Sequence, residues 1–163
     1  MRASREWFLL KDSERNIIEA HQRALPIAVG AIAKDLGIRV LKSTMPGSVS
    51  GEIREVDGVV TIKVNRHDIK ERQRFTIAHE IAHYLLHRDR IAGGITDDVL
   101  YRSKLSDELE WQANRLAADI IMPASLIFSA LQENADLKSD DRYKKVAEMA
   151  EVSLAAIKIR TGI

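Results

Sequence analysis

The chain has 163 residues, of which 45% are hydrophobic and 30% charged, and a net charge of +1. That is enough apolar material for one compact domain, or for a domain with a small helical appendage. It is too little net charge for a bulk electrostatic attraction to nucleic acid. With no cysteine, the chain can build neither a disulfide framework nor a thiolate metal site, so any metal must be held by histidine and carboxylate.

The first residues, Met1 to Trp7, lack the apolar core of a signal peptide, and no apolar run approaches membrane-spanning length. A cytoplasmic protein with no membrane partner is expected. Residues 13–24 read as a helix capped by Ser13, with Ile17, Ile18, Ala20 and Leu25 on its apolar side. Pro26 starts a new element. Ile27 to Leu36 form a second helix, stopped by Gly37. Ile38 to Leu41 form a short strand. Two further strands, Ser48–Val56 and Val59–Val64, flank Asp57-Gly58, a strong tight-hairpin signal. Val60, Ile62 and Val64 alternate with Thr61 and Lys63, so one face is buried and the other wet. Arg66 to Arg74 reads as a polar link with a modest basic cluster.

The link leads into Phe75-Thr76-Ile77-Ala78-His79-Glu80-Ile81-Ala82-His83-Tyr84-Leu85-Leu86, in which nothing breaks a helix. Residues four apart stand on one helix face, so His79 and His83 can grip a single metal ion. Glu80, one residue along, is near that ion but differently aimed, as a general base for water requires. This HExxH spacing is that of a zinc peptidase. The competing reading, two surface histidines on an amphipathic helix, needs a polar face. These flanks are apolar almost all round.

Arg90 to Ser103, with Gly93-Gly94 and no helical period, reads as a loop. Leu105 to Ile121 is a long helix closed by Met122-Pro123, and Pro123 begins the next helix, Ala124 to Gln132. Lys138 to Arg142 is a charged hinge before two short helices, Lys144–Ala150 and Leu154–Arg160. The last two helices resemble a helix-turn-helix pair. Glu148 and Glu151 there would repel phosphate, which favours packing over DNA binding.

A catalytic zinc takes three protein ligands and keeps one open position. His87 lies one turn beyond His83, about 12 Å of rise from His79 on a straight helix, too far to share the ion. It is expected to support the site or to pack. The apolar stripe of the Leu105–Ile121 helix runs through Leu105, Leu109, Ala113, Leu116, Ala117 and Ile120, and Glu110 borders it. Glu108, Trp111, Gln112, Arg115 and Asp119 form the wet face. A carboxylate at the edge of a buried small-residue seam is costly unless it meets a cation, so Glu110 is the expected third ligand. The alternative is a surface glutamate paired with Arg115 or Lys104.

Arg74 to His87, and then Glu110-Trp111-Gln112-Ala113-Asn114-Arg115-Leu116-Ala117-Ala118 followed by Ile120-Ile121-Met122-Pro123, resemble the two motifs of ImmA/IrrE-type metallopeptidases. The resemblance runs from about residue 13 to the C-terminus. It implies a zincin-like site with His79, His83 and the Glu110 of the ExxAN motif as ligands, and Glu80 as catalytic base. It also implies a substrate class, a helix-turn-helix transcriptional repressor whose cleavage derepresses stress, mobile-element or antiphage genes. The chain departs from the family pattern at Ala82, where Gly is frequent, and at Leu116, where Phe is frequent. Both changes are mild.

The expected cofactor is one zinc ion, and manganese also fits the donor set. Candidates to stabilise the transition state or support the ligands are His87, Tyr101 and Asn114, with Arg102 and Tyr84 as further options for the oxyanion. The Val59–Val64 strand is a candidate edge for an extended substrate. The expected architecture is α+β, a small, mostly antiparallel three-stranded sheet packed on the HExxH helix. The expected division is a metallopeptidase domain over residues 1–134 with a helical, helix-turn-helix-like appendage over 135–163. The alternative function is a regulatory protein that binds a repressor or nucleic acid without cutting. Single-stranded nucleic acid at the basic link is a weaker partner candidate.

Overall fold

The computed structural model describes residues 1–98 and 107–163. The expected α+β architecture is the one observed. A 3-10 turn, Glu6–Leu9, precedes α1 (Asp12–His21) and α2 (Val29–Asp35). Lys11, not Ser13, caps α1. Glu14 reaches back to accept from the Lys11 N–H at 2.9 Å, so the carboxylate three residues in does the work assigned to the serine. Gly37 ends α2 at φ +78°, donating to the Lys34 carbonyl while Ile38 donates to that of Ala33.

The strands are β1 (Arg39–Ser43), β2 (Val49–Val56), β3 (Val59–Asn65) and β4 (Ile95–Asp98), in the order β1-β3-β2-β4. β1 pairs parallel with β3, and the other two pairings are antiparallel. Asp57 and Gly58 both take positive φ, 51° and 77°, which turns the hairpin with the twist of its strands. The fourth strand comes from the segment read as loop. A 3-10 turn, Arg88–Gly93, precedes it, and its pairing with β2 supplies order that local periodicity does not carry. β3 lies inside the sheet between β1 and β2, so it offers no edge to a substrate; among the described residues the outer strands are β1 and β4.

The polar link is shorter than expected, because Lys70 to Arg74 already belong to α3 (Lys70–Leu86), the HExxH helix. Its start is fixed by two buried amides. Asn65 donates to the Val49 carbonyl at 2.9 Å, and Gln73 donates to the carbonyls of Asn65 and Asp68 at 3.0 Å each. The end of the hairpin is thereby tied to the first turns of α3.

α4 (Asp107–Ile121) packs along α3. Ala78 and Ala82 on α3, and Ala113 and Ala117 on α4, are all fully buried. Four small side chains let the two backbones approach closely. α5 (Ala124–Glu133), α6 (Ser139–Ala150) and α7 (Leu154–Thr161) follow. The charged hinge at 138–142 is mostly the first turn of α6, where Asp140 and Asp141 suit the positive end of a helix. Ser153 caps α7 by accepting from the Ala156 N–H. One apolar cluster joins Ile53 and Ile62 of the sheet, Ile81 of α3, Leu116 of α4, Val146 of α6 and Ile157 of α7. Among the described residues no single helix is long and apolar enough to cross a membrane.

Candidate metal centre

The i, i+4 spacing on α3 puts His79 and His83 side by side, their Nε2 atoms 3.0 Å apart and their rings edge-on. The alanine seam brings Glu110 of α4 against both. Its Oε2 lies 3.3 Å from His79 Nε2, and its Oε1 3.5 Å from His83 Nε2. The three groups form a cluster that could hold a metal ion, with ligand atoms all within 4.8 Å of one another. Three atoms each bonded to a zinc ion at 2.0–2.1 Å in tetrahedral arrangement lie about 3.3 Å apart, so these separations fit. The chemistry fits as well, since two imidazoles and one carboxylate are a donor set that zinc takes in catalytic sites.

Both histidines are buried, at 4% and 0% exposure. Burial is the main reason the His83 pKa falls to about 4; the Glu110 carboxylate opposes the shift without cancelling it. His83 is therefore neutral near pH 7, and a neutral ring has the lone pair that a metal needs. Glu80 is fully buried beneath β2, where Gly51 passes close to both Thr76 and Glu80. Phe75, one turn before His79, stacks on its ring with centroids 6.5 Å apart.

The remaining expected residues separate. His87 stays outside the cluster and caps α3. Its ring Nδ1 lies 2.9 Å from His83 Nδ1, and its Nε2 lies 3.0 Å from Gln112 Oε1. Tyr84 directs its hydroxyl at the Leu36 carbonyl, 3.5 Å away, and Arg88 covers its ring. Asn114 is exposed. Tyr101, Arg102 and Lys104 lie outside the described residues. The face of α4 expected to be wet is only partly so. Trp111, Glu108 and Arg115 are exposed, but Asp119 is buried in an ion pair with Arg160, and Gln112 turns toward His87. At 100° per residue, Glu110 and Gln112 flank Ala113 on its two sides. A helical wheel centred on Ala113 would have found Gln112; sorting by i+4 rows did not.

Beside Phe75 runs a groove made of two hollows of about 400 and 410 Å³, which meet at Phe75, Ser153 and Ala156. Besides Phe75, the larger apolar side chains along it are Trp111, Met122 and Ile159 in the first hollow and Ile69 in the second. α7 forms one wall, and its Arg160 is turned inward to Asp119 and to the Met122 carbonyl. The basic cluster of the link is likewise engaged. Arg74 donates to the Ile27 carbonyl, Lys70 pairs with Glu151, and Arg72 donates to Ser50 Oγ.

A family model described as Peptidase_M78, IrrE N-terminal-like domain, matches residues 33–161. No curated protein matches the chain. A solved structure described as a Mycobacterium tuberculosis transcriptional regulator is similar in fold, with a TM-score of 0.62 at 18% identity. The match covers 97% of this chain and 47% of that one, so the chain spans about half the length of that protein.

Proposed function

The chain belongs to the Peptidase_M78 family, with an IrrE N-terminal-like domain, and from that premise we propose that it is a zinc-dependent endopeptidase. We assign the metal to His79, His83 and Glu110, and the role of catalytic base to Glu80. The proposed substrate is a helix-turn-helix transcriptional repressor, cut to release stress, mobile-element or antiphage genes. The observation that carries the reading is the His79–His83–Glu110 cluster with Glu80 buried beside it.

His79, His83 and Glu110 would hold the zinc ion, which would supply Lewis acidity toward a peptide carbonyl and a water. Glu80 takes the proton of the attacking water and passes it to the leaving amine nitrogen. Glu80 is fully buried and so kept from bulk water, which strengthens its pull on that proton. Phe75 holds the His79 ring in place. The groove between α4 and α7 runs past Phe75, and its apolar lining suits side chains flanking the cut bond.

The arginines of the link and Arg160 on α7 are satisfied within the molecule, which weighs against a phosphate-binding role for either. The test is co-expression with a candidate helix-turn-helix repressor, comparing wild type with Glu80→Gln. Repressor fragments should appear with wild type and fall by at least about a hundredfold with the variant. Equal fragments in both would overturn the peptidase reading and leave the non-cleaving regulator.

A further inference from the structure

We propose that His87 and Gln112 form a relay that sets the tautomer of His83, and so how readily its Nε2 binds a metal. The relay rests on the proposed metal site but concerns atoms on its far side. Three groups stand in line: His83 Nδ1 is 2.9 Å from His87 Nδ1, and His87 Nε2 is 3.0 Å from Gln112 Oε1.

Proton counting fixes the direction. A carbonyl oxygen can only accept, so Gln112 Oε1 requires the proton of His87 on Nε2. A neutral His87 then has a bare lone pair on Nδ1. That lone pair must be met by a donor, so the proton of His83 sits on Nδ1. His83 Nε2 is left unprotonated, facing His79 and Glu110. Reading from the other end gives the same answer, because metal binding through His83 Nε2 requires the proton on Nδ1. If Gln112 instead offered its NH₂, every step would reverse and the His83 Nε2 would carry a proton into the metal position.

The geometry around the relay is built rather than loose. His87 is 4% exposed, and its backbone N–H donates to the His83 carbonyl at 2.8 Å. The same two residues are therefore joined through the backbone and through their rings. α3 stops at Leu86, and the non-helical backbone of His87 (φ −127°, ψ 40°) lets its ring meet the ring of His83, with centroids 5.1 Å apart. Gln112 sits on α4, two residues beyond Glu110. One helix thus delivers a direct ligand and, on its other border, the acceptor that orders a ligand of the neighbouring helix. Such outer hydrogen bonds fix the orientation of ligating histidines and raise their basicity.

His87 and Gln112 are positioning residues, so the test reads more than activity. Zinc affinity would be measured by competition with a chromophoric chelator for wild type, Gln112→Leu and Gln112→Glu. In parallel, the ring nitrogens of ¹⁵N-labelled metal-free protein would be assigned by NMR. In wild type, His83 should carry its proton on Nδ1 and His87 on Nε2. Gln112→Leu should weaken zinc binding on the order of tenfold and shift His83 toward the Nε2–H tautomer. Gln112→Glu keeps a pure acceptor and should restore both. An Nε2–H tautomer for His83 in wild type overturns the proposal. So does a Gln112→Leu protein with wild-type affinity, or one whose affinity falls while the His83 tautomer is unchanged. If wild type bound no zinc, the metal reading would fall, and the NMR measurement would still decide the relay. That measurement on wild type also stands if Gln112→Leu does not fold.

Discussion

A methyl group added at Gly51 would meet Thr76 Cγ2 at 2.4 Å, the Lys63 carbonyl oxygen at 3.0 Å and Glu80 Oε1 at 3.5 Å. The first of these is shorter than any relaxed carbon–carbon contact, so something must move. β2 carries a register irregularity between Val49 and Gly51 at this place, where it crosses α3. The glycine is what lets the sheet lie against the helix that bears Glu80. Gly51→Ala should therefore cost about 1–3 kcal/mol of stability, as overpacking of a filled interior does. Adding Thr76→Ser removes the Cγ2 and should return much of the loss, leaving the Lys63 contact. Urea unfolding of the two single variants and the double variant measures that coupling. Gly51→Ala with wild-type stability, or no recovery in the double variant, would show that the close approach does not constrain the site. Nothing in the sequence marks Gly51 as special. Its importance comes from a residue 25 positions away on another element, which no local pattern encodes.

Between elements, the decisive surface is the alanine seam of α3 and α4. Ala78, Ala82, Ala113 and Ala117 are fully buried, and their small size brings Glu110 within 3.5 Å of His83. Ala113→Leu would insert three extra carbons at the centre of this seam. The helices must then separate or shear, costing about 1–3 kcal/mol. Glu110 should retreat from the imidazoles, so zinc affinity should drop by more than the loss of stability explains. Metal titration beside thermal unfolding checks this; zinc affinity unchanged in a stably folded variant would show that the seam does not set ligand distance. Much of this level was legible in the sequence. HExxH put His79 and His83 on one face of a helix through a fixed spacing, and the stripe through Ala113 and Ala117 placed Glu110 at its border, the three groups that the fold brings together. The hairpin followed from Asp57-Gly58, and the stop of α2 from Gly37. β4 was not legible, because its order comes from pairing with β2 and not from its own pattern. Asp119 and Gln112 were misplaced because their polar side chains are satisfied by distant groups, Arg160 and His87. Periodicity records polarity, whereas burial depends on such partners.

At the scale of the whole molecule, the two ends of the chain converge on α4. The Ser4 N–H donates to Asp119 at 2.8 Å, and Arg160 pairs with the same carboxylate at 2.7 Å. Glu6, only 3% exposed, receives both arms of Arg115, at 3.0 and 2.6 Å. The helix that carries Glu110 is thus braced from outside by segments far apart in sequence. Glu6 makes one brace sensitive to pH. The Arg115 hydrogen bonds hold its carboxyl below the ordinary value of 4.5, against the opposing effect of burial. A carboxylate with a depressed folded-state pKa stabilises the fold above its unfolded pKa, and that contribution is lost as pH falls through the folded value. Glu6→Gln keeps the shape and removes the charge. It should lower stability by about 1–2 kcal/mol at pH 7, a figure kept modest because Arg115 is half exposed. Below pH 4.5 the wild type should lose its advantage progressively until the two proteins melt together. Paired thermal melts from pH 7 down to acid conditions measure the gap. A gap that stays constant or widens on acidification would mean that Glu6 is held by packing alone, and that the charge across Glu6 and Arg115 does not brace α4.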